Sequence, residues 1–178
     1  MYALAVIGVS VAPVALFLIW LLYMDRREPE PLGLVLRVVA LGALGSLVAM
    51  VVELALDGLP LFQGQGPAAA FLVSFLQIAP VWKSPHFNEE NDGIVYLGAS
   101  ALGFALLENV AYVAQYGFGT GVLRAFSAIP LHMFTGVIMG YQVGLARLAG
   151  SRVVARRRVA RGFFAAWLLH GLYDAFAL

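Results

Sequence analysis

The chain contains no cysteine. Disulfides, iron–sulfur ligation and thiolate zinc sites are therefore excluded, leaving His, Glu and Asp as the metal-ligating residue types. Charge is also scarce. Only 12% of the 178 residues are Asp, Glu, Lys or Arg, against about 25% in a soluble domain. The net charge of +1 calls for neither nucleic acid nor an acidic partner. No basic run precedes the first apolar stretch, Ala3 to Met24, which is long enough to span a bilayer, so a cleavable signal is not expected. No polar stretch exceeds about 15 residues, too short for a soluble appendage. Residues 1–178 are expected to form one membrane-embedded domain.

Apolar residues fill the space that charge leaves. They make up 62% of the chain, and the mean hydropathy is +0.88. The expected fold is all-α, a polytopic transmembrane helical bundle of about six spans: Ala3–Met24, Leu32–Leu56, Pro67–Trp82, Gly93–Gly117, Val122–Gly150 and Gly162–Leu178. Most have the roughly 20 residues needed to cross ~30 Å of hydrocarbon, the third and sixth being short. Ten of the eleven Lys and Arg residues fall on one side of this arrangement, Arg124 being the exception. The positive-inside rule then places segment 151–161 in the cytoplasm as a loop, with residues 57–66 and the N-terminus outside. Gly136, Gly140 and Gly144 recur every fourth residue, a ridge on which another helix backbone can seat closely.

Ionisable residues inside such spans are costly, about 2.5–3.5 kcal/mol each on the lenient insertion scale, so each needs a partner or a task. Arg37 and Glu53 lie near the ends of the second span, where long side chains snorkel to the headgroups. His86, Glu89 and Glu90 read as a solvated loop, and the arginine run 152–161 as a topology determinant touching anionic lipid. Glu108 differs, lying sixteen residues beyond Asp92, or ~24 Å along a helix. His132 lies ~22 Å from Arg147, and His170 and Asp174 lie ~14 and ~20 Å beyond Arg161. His170 and Asp174, four apart, share a helix face, and His132 continues the glycine ridge. Carboxylate and imidazole groups converging without sulfur suit a zinc site, with Glu108, His132 and His170 as ligands and Asp174 holding the other ring nitrogen of a histidine. The plain alternative is a hydrogen-bonded cluster that glues helices together.

These residues sit in recognisable motifs. Phe104-x-x-x-Glu108-Asn109 resembles the FxxxEN motif of PrsW-type intramembrane metalloproteases, and Asp92-Gly93-Ile94-Val95-Tyr96-x-Gly98 resembles the DGIVYG signature opening the same helix. Leu131-His132-Met133-Phe134-Thr135-Gly136 is similar to the third family motif, and His170-Gly171-Leu172-Tyr173-Asp174 to the closing HGxYD. The family belongs to a wider group with the type II CAAX prenyl endopeptidases. The resemblance implies a metal-dependent endopeptidase acting on transmembrane protein substrates such as anti-sigma factors. It makes Glu108, His132, His170 and Asp174 the catalytic set and places Asn109 beside it. One motif is missing: Ala79-Pro80 is followed by Val81-Trp82-Lys83-Ser84, where the family carries EExxK. The first glutamate of that motif would be the general base, and a shortened form of a seven- to eight-helix fold is implied. Two other functions compete, a non-catalytic protein that binds substrate helices or metal, and an ion or proton transporter using the intramembrane Glu, His and Asp.

Overall fold

The computed structural model describes residues 2–56 and 81–177, and all regular structure among them is helical. The elements are α1 (Tyr2–Met24), α2 (Leu32–Leu56), α3 (Glu90–Tyr116), α4 (Phe118–Phe126), α5 (Ala128–Arg147) and α6 (Arg152–Ala177). By length and composition, four stretches can cross a membrane: Ile7–Met24, Leu32–Val52, Glu90–Tyr116 and Phe118–Arg147. The expected third span, Pro67–Trp82, and the loop 57–66 fall almost wholly outside the described residues, as does the side chain of Glu53.

Two boundaries differ from expectation. The stretch from Val122 to Gly150 is not one helix, because Ser127, with ψ −74°, separates α4 from α5. Ser127 binds the Leu123 carbonyl through its hydroxyl at 2.9 Å. Pro130 lies at the third position of α5, where a missing N–H costs nothing because helix N-termini leave those donors unpaired. The second difference is in segment 151–161, which is helical from Arg152 onward rather than a loop. Arginine is a good helix former, so the helix continues where the apolar run stops.

Helix α3 is the hub, packed against α1, α2 and α5. Its neighbours approach closely because glycine lines both faces. A Cβ placed on Gly140 would lie 2.3 Å from the Gly93 carbonyl oxygen, and one on Gly144 2.2 Å from that of Glu90. On the opposite face, Gly42 of α2 meets the Ser100 carbonyl in the same way, at 1.9 Å. The ridge expected from the sequence therefore faces α3. Around these contacts Val35, Val38, Ala99, Leu102, Ala105, Ile129 and Met133 are fully buried. Leu4, Leu16, Leu54, Leu123 and Phe164 are exposed, as lipid-facing residues are. Gly117, at φ 89°, turns α3 into α4 through a left-handed conformation that only glycine adopts without strain.

At the other end of α3, Asp92 accepts the backbone N–H groups of Asn88 and Glu89 at 2.7 and 2.6 Å, satisfying donors that a helix start leaves open. Glu30, in the turn between α1 and α2, is buried; its carboxylate accepts the Tyr96 hydroxyl, and its N–H donates to Asp25. Burial pushes the Glu30 carboxyl up to about 7; the Tyr96 hydrogen bond opposes this, and the negative charges of Asp92 and Asp25 add to it.

Candidate functional site

The far ends of α3, α5 and α6, with the short helix α4, bring five ionisable side chains into one chain of contacts. Glu108 Oε2 accepts a hydrogen bond from His132 Nε2 at 3.0 Å. The rings of His132 and His170 meet edge to face, their centroids 4.8 Å apart. Beyond them His170 Nδ1 donates to Asp174 Oδ2 at 2.9 Å, along the i,i+4 face of α6. The residues singled out in the sequence thus lie together, although the count from Arg161 placed His170 too shallow. The helix begins at Arg152, and measured from there His170 lies ~27 Å along the axis, comparable with His132 from Arg147.

Local packing fixes each group. His132 is 6% exposed and lies against the Phe104 ring, centroids 5.4 Å apart. The Phe-x-x-x-Glu spacing puts Phe104 and Glu108 one turn apart on α3, so ring and carboxylate approach His132 together. Asp174 sets the orientation of His170: a carboxylate accepting from Nδ1–H leaves Nε2 with its lone pair. At the end of the same motif the Tyr173 hydroxyl is hydrogen-bonded to Ser127 Oγ at 2.9 Å, tying α6 to the break between α4 and α5.

One member of the cluster was not foreseen. Arg124 of α4 forms an ion pair with Glu108 Oε2 through Nη2. Its Nε donates to Asn109 Oδ1 at 3.1 Å, and the guanidinium lies 4.0 Å over the Tyr112 ring. In the sequence Arg124 stands out only as the one positive charge on the sparse side. That isolation was itself the available signal, since a lone arginine close in sequence to a membrane-buried glutamate is its natural counter-ion. Asn109 is fully buried, and with Oδ1 engaged by Arg124 its Nδ2 has no hydrogen-bond partner. The other polar residues considered lie elsewhere. Arg37 is exposed near the start of α2, and Glu90 lies ~27 Å from Glu108 along α3.

A carboxylate and two imidazoles from three helices fit a zinc ion by donor type. Their present bonds, however, are to one another and to Arg124. Among the described residues no three His, Asp or Glu side chains surround a common point at ligating range.

Comparison with known proteins adds an independent line. A family profile described as PrsW family intramembrane metalloprotease matches residues 30–178. The chain is 33% identical to Protease PrsW of Geobacillus kaustophilus, over 96% of this chain and 78% of that protein. It is 30% identical to Protease PrsW of Bacillus subtilis, over 96% and 81%, and 29% identical to that of Oceanobacillus iheyensis, over 96% and 82%. The last alignment runs over 184 positions, more than the 178 residues of this chain, so the relative has residues where this chain has none. No solved structure matches the chain.

Proposed function

The chain belongs to the PrsW family of intramembrane metalloproteases, and from that premise we propose that it is an endopeptidase cleaving membrane-anchored proteins, anti-sigma factors among them. The observation that carries the proposal is the unbroken contact run Arg124–Glu108–His132–His170–Asp174 across four helices. Burying that many ionisable groups in a bilayer is costly without a chemical task. Glu108 Oε2 and His132 Nε2 lie 3.0 Å apart on neighbouring helices. Asp174 holds His170 with one ring nitrogen free. Glu108, His132 and His170 would hold the metal, zinc by donor type, and when bound it supplies a Lewis acid and a more acidic water. Arg124 pairs with the carboxylate of Glu108, and Asn109 holds Arg124 in place through Oδ1. The active site is reached from within a cell membrane, with the N-terminus outside and residues 151–161 cytoplasmic.

The test uses protein reconstituted in liposomes with zinc and a fluorescent single-span anti-sigma-factor reporter. Cleavage within the reporter's transmembrane segment is expected, lowered ~100-fold or more by Glu108→Gln or His170→Ala. Cleavage that persists in both variants refutes the assignment. A second reading, a non-catalytic relative that binds substrate helices, draws on the missing EExxK segment after Ala79-Pro80. It predicts a reporter that co-purifies with the protein and is never cut.

A further inference from the structure

We infer that Arg124 is a built-in counter-cation of this site, and that a metal ion must compete with it for the Glu108 carboxylate. The inference rests on the reading that Glu108 is a metal ligand. The guanidinium reaches the same oxygen, Oε2, that faces His132. It is not a loosely tethered surface charge. Its side chain is 12% exposed, and it is held at three points: the Glu108 carboxylate, Asn109 Oδ1, and the face of Tyr112. Planarity matters here, because a guanidinium can donate from Nε and Nη2 to two acceptors while stacking on a ring, which an ammonium cannot do.

The physical consequence follows from sharing one anion between two cations. In the absence of metal, Arg124 meets the cost of keeping Glu108 ionised inside the bundle. In the presence of metal, the same positive charge opposes a divalent ion at the carboxylate it already neutralises. Arg124 is carried by α4, a nine-residue helix with Gly117 at one end and Ser127 at the other, whose Leu123 and Phe126 are exposed. Displacing Arg124 therefore requires moving one short helix and not a whole span. Metal loading is then linked to the position of α4, and release of Arg124 also frees Asn109 Oδ1 beside Glu108.

Zinc binding decides this without reference to activity. The full chain, purified in detergent and stripped with a chelator, is titrated with zinc chloride against a chromophoric zinc indicator. Arg124→Gln should bind zinc at least ~10-fold more tightly than the unsubstituted protein, a gain of about 1.4 kcal/mol. Arg124→Lys, which keeps the charge but loses the planar fork, should recover part of the difference. Adding Glu108→Gln to Arg124→Gln should abolish the gain. A merely structural role for Arg124 moves affinity the other way, since a loosened site binds more weakly. Equal or weaker zinc binding by Arg124→Gln, in a protein where Glu108→Gln impairs binding, overturns the competition and leaves the metal-site reading intact. Zinc binding indifferent to Glu108→Gln, or absent throughout, overturns both. Should Arg124→Gln fail to fold, Tyr112→Leu removes the ring under the guanidinium and should tighten zinc binding about threefold. No tightening there overturns the inference as well.

Discussion

Replacing Gly140 with alanine tests the packing logic in its simplest form, because one methyl group is added and nothing is removed. At an exposed helical position Gly→Ala stabilises by about 0.5–1 kcal/mol. At Gly140 the new Cβ would stand 2.3 Å from the Gly93 carbonyl oxygen and 2.8 Å from the Gly93 carbonyl carbon and Ile94 Cα. All three are backbone atoms of α3, so no side chain can rotate away. Restoring ordinary contact requires the two helices to separate by about 1 Å over the turn concerned, at the ~1–3 kcal/mol typical of overpacking. The expected net effect is a loss of about 1–2 kcal/mol, with the intrinsic gain already subtracted. Gly33→Ala in α2 is the control, since nothing lies within 4 Å of its Cβ, and it should be neutral or mildly stabilising. Reversible unfolding in mixed micelles of increasing denaturing detergent gives both values. If Gly140→Ala proves as stable as Gly33→Ala, α3 and α5 do not meet backbone to backbone in the membrane.

Other outcomes follow from the same geometry. Asp174→Asn should keep the helix but lose the carboxylate that orients His170, lowering reporter cleavage ~10–100-fold with the unfolding transition unchanged; full activity would show that His170 needs no such partner. Glu30 has a carboxyl raised from 4.5 to about 7 in the fold, so its contribution to stability is complete below about pH 4.5 and is lost as pH rises through 7. Glu30→Gln stays neutral throughout and should gain ~1–2 kcal/mol on the parent between pH 5 and 8.5, after allowance for solvent screening at this membrane-edge site; parallel unfolding curves would refute this. Single cysteines at 156 and 119 should label from the inside and outside of intact cells respectively, and the reverse pattern would invert the proposed topology.

Helix positions were largely legible because bilayer thickness writes itself into the lengths of apolar runs. α2 spans Leu32–Leu56 as expected, and α1 and α3 begin within a few residues of expectation. What hydropathy cannot register is a break within an apolar stretch. Ser127 and Pro130 punctuate a run whose average polarity hardly changes, so the sequence shows one span and hides its division into two helices, α4 and α5. Nor does hydropathy report where a helix ends once it leaves the membrane, which is why α6 begins ten residues before Gly162. The ionisable cluster was visible for the opposite reason, since Glu108, His132 and His170 stand out against apolar neighbours. Arg124 was hidden by the positive-inside count, which treats every arginine as a vote on orientation and none as a counter-ion.

The glycine ridge and the ionisable cluster, read separately from the sequence, form one mechanical unit. Along α5 the ridge runs Gly144, Gly140, Gly136, and the next residue on that face is His132. Opposite it, α3 presents Glu90, Gly93, Leu97 and Ala101 in turn, then Phe104 and Glu108. Close backbone contact over three turns sets the distance at the fourth, where the two helices carry large side chains and the carboxylate meets the imidazole at 3.0 Å. A separation of about 1 Å along the ridge would carry through to that contact and stretch it beyond hydrogen-bonding range. Gly140 lies two helical turns, about 12 Å, from His132 and touches neither Glu108 nor His132. It governs their spacing nonetheless, because a rigid pair of helices transmits a displacement along its length.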